Sequence, residues 1–335
     1  MKKILITGGC GFIGMNAVLY FSKKKYDIHI VDNLTRFGSK NNLKTLKKHT
    51  NFTFHKVSIT NHNYLKNLIK DQSFDSIIHL AAQVAVTFSI DDPIKDFKVN
   101  TYATINILDS IRRYSPKTTL LFASTNKVYG QLENLKLTHN TNKYYIKSNS
   151  FFGINENQSL DFHSPYGCSK GSADSYVIDY SRIYNLKCIV LRQSCIYGTH
   201  QYGIEDQGWL AWMMINTIRK KVFTIFGDGR QVRDVLYIDD LLNLYEKIIS
   251  NYKKSCNVLN VGGGIDNSIS LLEYISIMKK LGLKPQYKFS KWRAGDQKIY
   301  ISDIRKAHKF YNWKPKYTPS EGIAKMKDWL NGNLV

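Results

Sequence analysis

Short apolar runs alternate with longer amphipathic stretches through the first part of the chain. The apolar runs, rich in Ile, Leu and Val, predict buried strands over residues 3–7, 28–32, 52–57, 75–80, 119–124 and 187–192. The stretches between them predict helices, among them residues 14–24, 64–71 and 100–113. This alternation indicates an α/β fold, with a doubly wound parallel sheet covered by helices on both faces.

The pattern loosens at about residue 196. From there, helices and short strands interleave with irregular stretches rich in Gly, Asp and Gln, at residues 198–208, 227–233 and 262–267. We predict a large N-terminal domain over residues 1–195, to which residues 232–262 return, and a smaller lobe formed mostly by residues 196–335.

The chain carries a strong positive charge. The 335 residues include 48 Lys and Arg against 26 Asp and Glu, a formal net charge of +22. The longest basic run is Lys23-Lys24-Lys25, and no basic stripe is interleaved with aromatic residues, as it is in proteins that bind single-stranded nucleic acid. The charge therefore favours a lysine-rich surface, with some arginines reserved for phosphates, and we expect no nucleic-acid partner.

The cysteines and the hydropathy exclude further classes of protein. The five cysteines contain no CxxC pair, so we expect neither a disulfide framework nor a metal site, and a reducing cytoplasm suits them. Cys10, Cys168 and Cys195 are interpreted as packing residues, because no base is placed to activate them as nucleophiles. No apolar segment approaches the ~18 residues of a membrane helix, so we expect no membrane contact.

A glycine-rich turn follows the first predicted strand and opens the first helix. It contains Gly9-x-Gly11-x-x-Gly14 and also Gly8-x-x-Gly11-x-x-Gly14. Glycines in this setting make a tight turn, admit a pyrophosphate to backbone N–H groups and let the helix pack closely on the strand. The turn therefore predicts a dinucleotide site.

Asp32 supplies the acidic companion of this turn. It ends the second predicted strand, at about the 20-residue distance expected of the acid that binds the adenosine ribose. A carboxylate there accepts from the 2′-hydroxyl and repels a 2′-phosphate, which favours NAD over NADP. Arg36 lies near enough in the sequence to pair with a 2′-phosphate, so NADP stays open as an alternative.

Three further residues have the chemistry of proton transfer. Tyr166 and Lys170 stand one helical turn apart, so a neighbouring ammonium is expected to favour the phenolate of a tyrosine that is otherwise a poor base. Thr125 follows the fifth strand, at the sheet edge where open α/β folds bind ligands. The helix that Tyr166 opens is expected to show one apolar face, formed by Ala173, Tyr176, Val177, Tyr180, Ile183 and Tyr184.

With these residues in place, the whole chain resembles the extended short-chain dehydrogenases/reductases of the nucleotide-sugar branch. Within that branch it is most similar to the CDP-paratose 2-epimerases, also called CDP-tyvelose 2-epimerases. The stretches that carry the resemblance are HLAAQVAVTFS (79–89), STNKVYG (124–130), LDFHSPYGCSKGSAD (160–174), LRQSCIYG (191–198), YGIEDQGWLAW (202–212) and FGDGRQVRDVLYIDD (226–240).

The resemblance implies a Rossmann-like NAD domain, a nucleotide-sugar lobe and inversion at C2 of a CDP-linked 3,6-dideoxyhexose for a surface polysaccharide such as the lipopolysaccharide O-antigen. It also implies a homo-oligomer, a dimer or tetramer, formed through the helices at 100–113 and 173–184. The implied catalytic residues are Thr125, Tyr166 and Lys170. The implied cofactor residues are Tyr166, Lys170, Gly8, Gly11, Phe12, Ile13, Asp32, Asn33, Arg36, Ser58, Ile59, Leu80, Ala81, Ala82 and Gln83. Ser58 departs from the family, since many relatives have Asp at that position.

The substrate end is carried by the second lobe. Arg233 and Arg293 are candidates for the diphosphate, because guanidinium groups match its oxygens, although surface ion pairs are an alternative for both. Asp296 is a candidate for the nucleotide ribose, and the helix start at residues 207–209 is a candidate for the diphosphate. The implied substrate residues are Thr125, Asn126, His163, Gln193, Gln207, Gly208, Trp209, Arg233, Arg293 and Asp296.

Asn126 and Lys127 bear on the reaction. Dehydratases of this superfamily carry an Asp-Glu pair after the Thr, and an amide with an ammonium cannot eliminate water in the same way. Another epimerase, acting at C2 or C4 of a GDP- or UDP-hexose, stays open. An NAD-fold protein that binds RNA through its net charge is opposed by the intact catalytic residues.

Overall fold

The computed structural model describes residues 1–148, 150–293 and 296–334. The chain divides into two compact units, each built from three segments. The first unit comprises Met1–Thr125, Ser164–Arg192 and Leu242–Leu259, and the second comprises Asn126–His163, Gln193–Leu241 and Asn260–Val335.

Residues 126–163 depart from the predicted domain boundaries. The sequence pattern assigned them to the first domain, but they belong to the second unit. Within that unit, the Ile154 amide donates to the Ile301 carbonyl at 2.7 Å, and the Asp303 amide donates to the Ile154 carbonyl at 2.9 Å. Residues 126–163 contain little regular structure, so the hydrophobic pattern of this stretch could not predict its pairing with residues 301–303. The segment that returns to the first unit is also shorter than predicted, Leu242–Leu259.

The six strands predicted from the sequence lie within one residue of their predicted bounds. The strands are β1 Lys3–Thr7, β2 Asp27–Asp32, β3 Thr53–Lys56, β4 Ser76–His79, β5 Thr119–Thr125, β6 Thr138–His139, β7 Tyr144–Tyr145, β8 Lys187–Gln193, β9 Cys195–Tyr197, β10 Phe223–Phe226, β11 Val232–Tyr237, β12 Val258–Val261, β13 Ser268–Ser270, β14 Tyr287–Ser290 and β15 Ile299–Tyr300.

Helices occupy the stretches between the predicted strands of the first unit, and α2 lies in one of these stretches. The predicted helix at 100–113 begins as a π-helical turn, Lys98–Tyr102, and a 3₁₀ turn, Asn126–Tyr129, follows β5. The α-helices are α1 Phe12–Lys23, α2 Ser39–His49, α3 His62–Gln72, α4 Val86–Asp91, α5 Pro93–Phe97, α6 Ala103–Tyr114, α7 Pro165–Ile183, α8 Trp209–Ile218, α9 Ile238–Ser250, α10 Leu271–Lys280, α11 Arg305–Tyr311 and α12 Pro319–Leu334.

The seven-stranded sheet has the order β12-β8-β5-β4-β1-β2-β3. β1 pairs in parallel with β2 and β4, β2 with β3, and β4 with β5. The order reverses between β1 and β4, and ligands of open α/β sheets bind at the carboxyl ends of the strands at such a reversal. The doubly wound α/β fold predicted from the sequence is confirmed, and the glycine turn that follows β1 lies at this point.

Helix α7 does not have the single apolar face that its sequence suggested. Ala173 and Val177 are fully buried, whereas Tyr176, Ile183 and Tyr184 are exposed. Tyr176 and Tyr180 make an edge-to-face ring contact, as do Tyr180 and Tyr184. The tyrosines therefore form a stripe beside the buried face. The helical spacing of the apolar residues includes both this stripe and the buried face, so the sequence could not separate them.

The buried side of α7 also carries an ion pair. The guanidinium of Arg192 donates to both carboxylate oxygens of Asp174, at 2.9 and 3.0 Å, and the Ser124 hydroxyl donates to Asp174 at 2.8 Å. Asp174 is fully buried and Arg192 is 4% exposed. Three donors thus satisfy a carboxylate that water cannot reach, and they join α7 to β5 and β8.

The second unit contains smaller sheets. β11 pairs in parallel with β9 and β15 and antiparallel with β13, and β10 pairs in parallel with β14. Its core includes the fully buried Trp313, whose indole N–H donates to the Asp240 carbonyl at 2.9 Å. Within the described residues, no helix has both the length and the apolar character that crossing a membrane requires.

Replacing Asp174 by Ala should strongly destabilise the protein. The change leaves the Arg192 guanidinium buried without its carboxylate, which costs about 3–5 kcal/mol of unfolding free energy. Asp179→Ala, on the same helix, breaks the exposed pair with Arg182 and should cost at most about 1 kcal/mol. Urea unfolding of both variants measures the difference, and equal losses would contradict a buried, paired Asp174.

Candidate active site

The glycine turn packs α1 directly against β1. Gly8 has a φ of +71°, and its amide donates to the Val31 carbonyl at 2.8 Å. A Cβ on Gly14 would lie 2.2 Å from the Gly8 carbonyl oxygen, and a Cβ on Gly9 would lie 2.6 Å from an Ile30 methyl. A side chain at Gly14 would require the backbone to move, and one at Gly9 would require the Ile30 side chain to shift.

This packing leaves the start of α1 suited to an anion. Gly11 is the N-cap and has no side chain to bond the first turn, which begins with Phe12 and Ile13. The first amides of a helix lack intrahelical partners and lie at the positive end of its dipole. The turn therefore has the form that a pyrophosphate requires.

Asp32 lies beside the turn. Its carboxylate accepts from the amides of Cys10 at 3.0 Å and Leu34 at 2.8 Å. Burial raises the pKa of Asp32, and these two hydrogen bonds oppose the rise. The neighbouring Asn33 side chain accepts from the Thr35 amide and hydroxyl, so it closes the turn after β2.

The loop after β4 approaches the same place. The amides of Leu80 and Ala81 donate to the Thr7 hydroxyl, each at 3.2 Å, and the Ala81 amide lies against Gly8. Gln83 donates to the Ala85 carbonyl at 2.8 Å. Leu80, Ala81, Ala82 and Gln83 thus follow β4, the strand that adjoins β1.

Other cofactor candidates have weaker support. The Ser58 hydroxyl bonds the Thr60 hydroxyl at 2.8 Å and accepts from the Thr60 amide, so it is engaged in its own turn. Ile59 is nearly buried in the core. Arg36 has an exposed side chain, and its charge lowers the pKa of Tyr166.

The three catalytic candidates come together in the first unit. The Tyr166 side chain hydrogen-bonds that of Thr125. The Lys170 ammonium donates to the Ala123 carbonyl at 2.6 Å and lies 4.2 Å from the centre of the Phe122 ring. Tyr166, Thr125 and Lys170 are 8%, 8% and 4% exposed.

The start of α7 fixes the tyrosine. Ser164 is the N-cap, and its hydroxyl accepts from the Gly167 amide at 3.0 Å, while Pro165 occupies the first turn. The Ser89 hydroxyl accepts from the Tyr166 amide at 3.1 Å. Two orphan amides of the helix are thereby satisfied at the turn that holds the phenol.

Burial changes the two reactive groups in opposite directions. It raises the pKa of Tyr166 to about 12, helped by the charge of Asp96 and opposed by the Thr125 hydrogen bond and by Arg36. It lowers the pKa of Lys170 to about 7, opposed by the charges of Asp174 and Asp96. The expected lowering of the Tyr166 pKa by Lys170 is absent, since the groups that lower it are Thr125 and Arg36 and burial outweighs both.

The second unit holds most of the substrate candidates, and its arginines are paired. Arg233 donates to the Asp296 carboxylate at 2.8 Å and to the Val232 carbonyl at 2.8 Å. Two residues predicted to bind different parts of the substrate therefore bind each other. Burial and the charge of Arg233 lower the pKa of Lys127, which Asp296 opposes. Lys127 thus adds an ammonium to this group of charges.

Arg293 belongs to a second group. It donates to Glu205 at 3.0 Å, lies 3.5 Å from Asp206 and stacks 3.8 Å from the centre of the Phe226 ring. Arg233 and Arg293 therefore both form ion pairs, which was the alternative given for them. The sequence could not reveal these pairs, because the acidic partners lie far away along the chain.

The remaining substrate candidates are also engaged. His163 bonds Asp161 at 2.8 Å, and the Asn126 amide donates to Gln297 at 3.3 Å. Gln193 is buried at the end of β8. Gly208, with a φ of +76°, precedes α8, which begins at Trp209, and Gln207 exchanges backbone hydrogen bonds with Ile204. The indole of Trp209 donates to the Cys195 sulfur at 3.4 Å, and Cys10 is fully buried. Cys168 is exposed, so the prediction that it is a packing residue is wrong.

One functional group was missed by the sequence reasoning. Asp96 is fully buried and bonds Ser169, which lies between Tyr166 and Lys170 on α7. An isolated Asp after a proline carries no recognisable signal, because its partners come from other segments.

Known proteins share this organisation. A family model described as GDP-mannose 4,6 dehydratase matches residues 5–326. The chain is 41% identical over 338 residues to the CDP-paratose 2-epimerase of Salmonella typhi, over 98% of this chain and 99% of that protein.

Solved structures extend the similarity. The UDP-glucose 4-epimerase of Thermotoga maritima, determined with UDP-glucose, has a TM-score of 0.84 and 26% identity, over 99% of this chain and 100% of that one. The dTDP-glucose 4,6-dehydratase of Bacillus anthracis, in complex with NAD, has a TM-score of 0.81 and 30% identity, over 99% of this chain and 97% of that one. Since the family model spans residues 5–326, the chain belongs to the GDP-mannose 4,6 dehydratase family of extended short-chain dehydrogenases/reductases.

Proposed function

We propose that the protein is an NAD-dependent epimerase that inverts C2 of a CDP-linked 3,6-dideoxyhexose, converting CDP-paratose to CDP-tyvelose. The observation that carries the proposal is the buried Tyr166 phenol bonded to Thr125, in the unit that also holds the glycine turn. The 41% identity to a CDP-paratose 2-epimerase supports the nucleotide and the sugar. The product fits the synthesis of a surface polysaccharide such as the lipopolysaccharide O-antigen.

The residues of the first unit fit NAD. Gly9 and Gly14 leave no space for a side chain in the turn, and Asp32 presents a carboxylate beside it. Gly8, Gly11, Phe12 and Ile13 are assigned to the pyrophosphate and Asp32 to the adenosine ribose. The chemistry that NAD supplies when bound is the reversible acceptance of a hydride from an alcohol carbon.

Tyr166 exchanges the proton. It takes the proton of the C2 hydroxyl as the C2 hydride leaves, Thr125 donates a hydrogen bond to the reacting oxygen, and a 2-ketone results. The ketone is planar at C2, so return of the hydride to the opposite face, with the proton returned by Tyr166, gives the inverted alcohol. A phenol with a raised pKa needs positive charge to lose its proton near neutral pH, and the Arg36 guanidinium and oxidised NAD would both supply it.

The second unit is assigned to the nucleotide diphosphate. Arg233 and Arg293 bind its oxygens in this proposal, and the sugar turns about that anchor between the two half-reactions. Each arginine already has a carboxylate partner, so the phosphates share or replace that partner. The domain assignment, with residues 1–195 and 232–262 for NAD and 196–335 mostly for the sugar nucleotide, is proposed with two changes. Asn126–His163 moves to the second group, and the returning segment is shortened to Leu242–Leu259.

Asn126 and Lys127 favour an epimerase over the reaction for which the family model is named. An amide and an ammonium follow Thr125, where elimination of water requires an acid and a base. A 4-epimerase, or a 2-epimerase for a GDP- or UDP-hexose, is the alternative. We also propose a cytoplasmic homo-oligomer, which the exposed tyrosines of α7 support as a contact surface.

Incubation with CDP-, GDP- and UDP-hexoses should give inversion at C2 of CDP-paratose, read by NMR. With deuterium at C2 of the substrate, the product formed in ordinary water should keep the label, because the hydride never exchanges with solvent. Inversion at C4 would assign the alternative function, and loss of the label to water would exclude hydride transfer.

Tyr166→Phe should lose at least about 100-fold in turnover, since the proton acceptor is removed. Bound NAD and the unfolding midpoint should stay near those of the unchanged protein. Tyr176→Phe is the matched control, because that tyrosine is exposed on the same helix and should leave turnover unaltered. A Tyr166→Phe enzyme with full turnover contradicts the assigned role.

Asp32→Ala should weaken NAD binding by about tenfold or more, the usual contribution of a hydrogen bond to a charged group, and should relax discrimination against NADP. Asp27→Ala, at the other end of β2, is the control and should leave both affinities unchanged. Titration with NAD and NADP measures the ratio. Preference of the unchanged protein for NADP would contradict the assignment of Asp32.

A further inference from the structure

Asp96 lies in the short helix α5 and has no exposed surface. Its carboxylate accepts from the Gln83 side chain at 2.9 Å, from the Asn100 side chain at 3.1 Å and from the Ser169 hydroxyl. All of these residues belong to the first unit. The role assigned to the site so far makes no use of this group.

The partners of the carboxylate favour its ionised form. The Gln83 and Asn100 nitrogens can only donate, and both reach the same carboxylate oxygen, while the Ser169 hydroxyl bonds the other oxygen. Burial raises the pKa of Asp96, while the bonds from Ser169 and Gln83 and the charge of Lys170 oppose the rise.

The same partners belong to both halves of the proposed reaction. Gln83 lies in the loop after β4 assigned to NAD, and its backbone exchanges two hydrogen bonds with the Asn100 side chain, at 2.9 and 3.0 Å. Ser169 lies on α7 between Tyr166 and Lys170, and the Thr101 hydroxyl donates to its carbonyl at 2.8 Å. One buried carboxylate therefore joins the cofactor loop to the catalytic turn.

We propose that Asp96 is a positioning residue of the epimerase, which holds Gln83 of the NAD loop against the turn of α7 that carries Tyr166 and Lys170. The inference rests on the proposed function. Asp96 touches neither reacting group in the assigned mechanism, and it acts through Ser169 and through its charge.

The negative charge of Asp96 shifts the pKa values of the reactive groups in a definite direction, which a purely structural role would not do. Asp96 raises the pKa of both Tyr166 and Lys170. The other charges that act on these groups are Arg36, which lowers the pKa of Tyr166, and Asp174, which raises that of Lys170. His79 also lies within reach of the Lys170 charge, but its pKa is lowered to about 3, so it is neutral.

Removing the charge must therefore lower the pKa of Tyr166. The phenolate that accepts the substrate proton then forms at lower pH, and the acidic limb of the turnover profile moves to lower pH. The phenolate of lower pKa is a weaker base, so it takes the substrate proton less strongly, and the phenol gives that proton back more readily.

Asp96→Asn in the NAD-loaded enzyme tests this. The acidic limb of kcat for CDP-paratose should fall by at least about half a pH unit. Asp91→Asn removes the same charge from an exposed position at the end of α4 and should leave the limb unchanged. An unmoved limb in an active Asp96→Asn enzyme overturns the proposal.

Ser169→Ala serves where Asp96→Asn fails to fold. It keeps the carboxylate and removes its hydroxyl link to α7, so kcat should fall about tenfold while the KM for the nucleotide sugar changes little. Ser175→Ala, on an exposed position of the same helix, is the matched control. A Ser169→Ala enzyme with unchanged kcat overturns the positioning role.

A measurement without the sugar separates this inference from the proposed function. Tyrosine carrying ¹³C at Cζ gives a Tyr166 signal that is identified by its loss in Tyr166→Phe. Its titration should shift to lower pH in Asp96→Asn holoenzyme and not in Asp91→Asn. A shifted titration without turnover of any CDP-hexose refutes the function alone, and an unshifted titration in an active epimerase refutes the inference alone.

Discussion

Helix α7 buries a phenol, an ammonium and a carboxylate at four-residue intervals, on Tyr166, Lys170 and Asp174. Groups of this kind are costly to bury unless each is hydrogen-bonded or paired. The last three residues of β5 supply one partner each: the Thr125 side chain for Tyr166, the Ala123 carbonyl for Lys170 and the Ser124 hydroxyl for Asp174. The part of α7 that carries Tyr166, Lys170 and Asp174 is thereby fixed to the carboxyl end of β5, so the sheet determines where these groups lie.

Burial at this place also sets the chemistry. A low-polarity environment favours the neutral form of every titratable group, so it raises the pKa of a phenol and lowers that of an amine. Tyr166 at about 12 and Lys170 at about 7 are the two sides of this one effect. The Tyr166 phenol therefore keeps its proton until a positive charge is brought close to it. Such a site suits a reaction in which the same proton is taken and given back.

Much of this arrangement can be predicted from the sequence, and the limits have a physical cause. Strands such as Lys3–Thr7 were found to the residue because both faces are buried and the apolar run has sharp ends. Tyr166, Lys170 and Thr125 were placed together because a helical spacing and a strand end constrain them locally. Asp96 was missed because it is recognisable only through Gln83 and Ser169, which sequence separates from it and the fold brings near.

The substrate residues were predicted only in part: the sequence identified the residues but not their partners. Arg233 was identified as a cation for phosphates, but its pairing with Asp296 depends on a loop far along the chain. An unpaired guanidinium with 11% of its side chain exposed would cost several kcal/mol, so the carboxylate partner stabilises the fold around Arg233. The same pairing means that a bound diphosphate must contribute more than the carboxylate it displaces or shares. Its two phosphates carry more negative charge than one Asp, which favours a diphosphate over a singly charged ligand at this arginine.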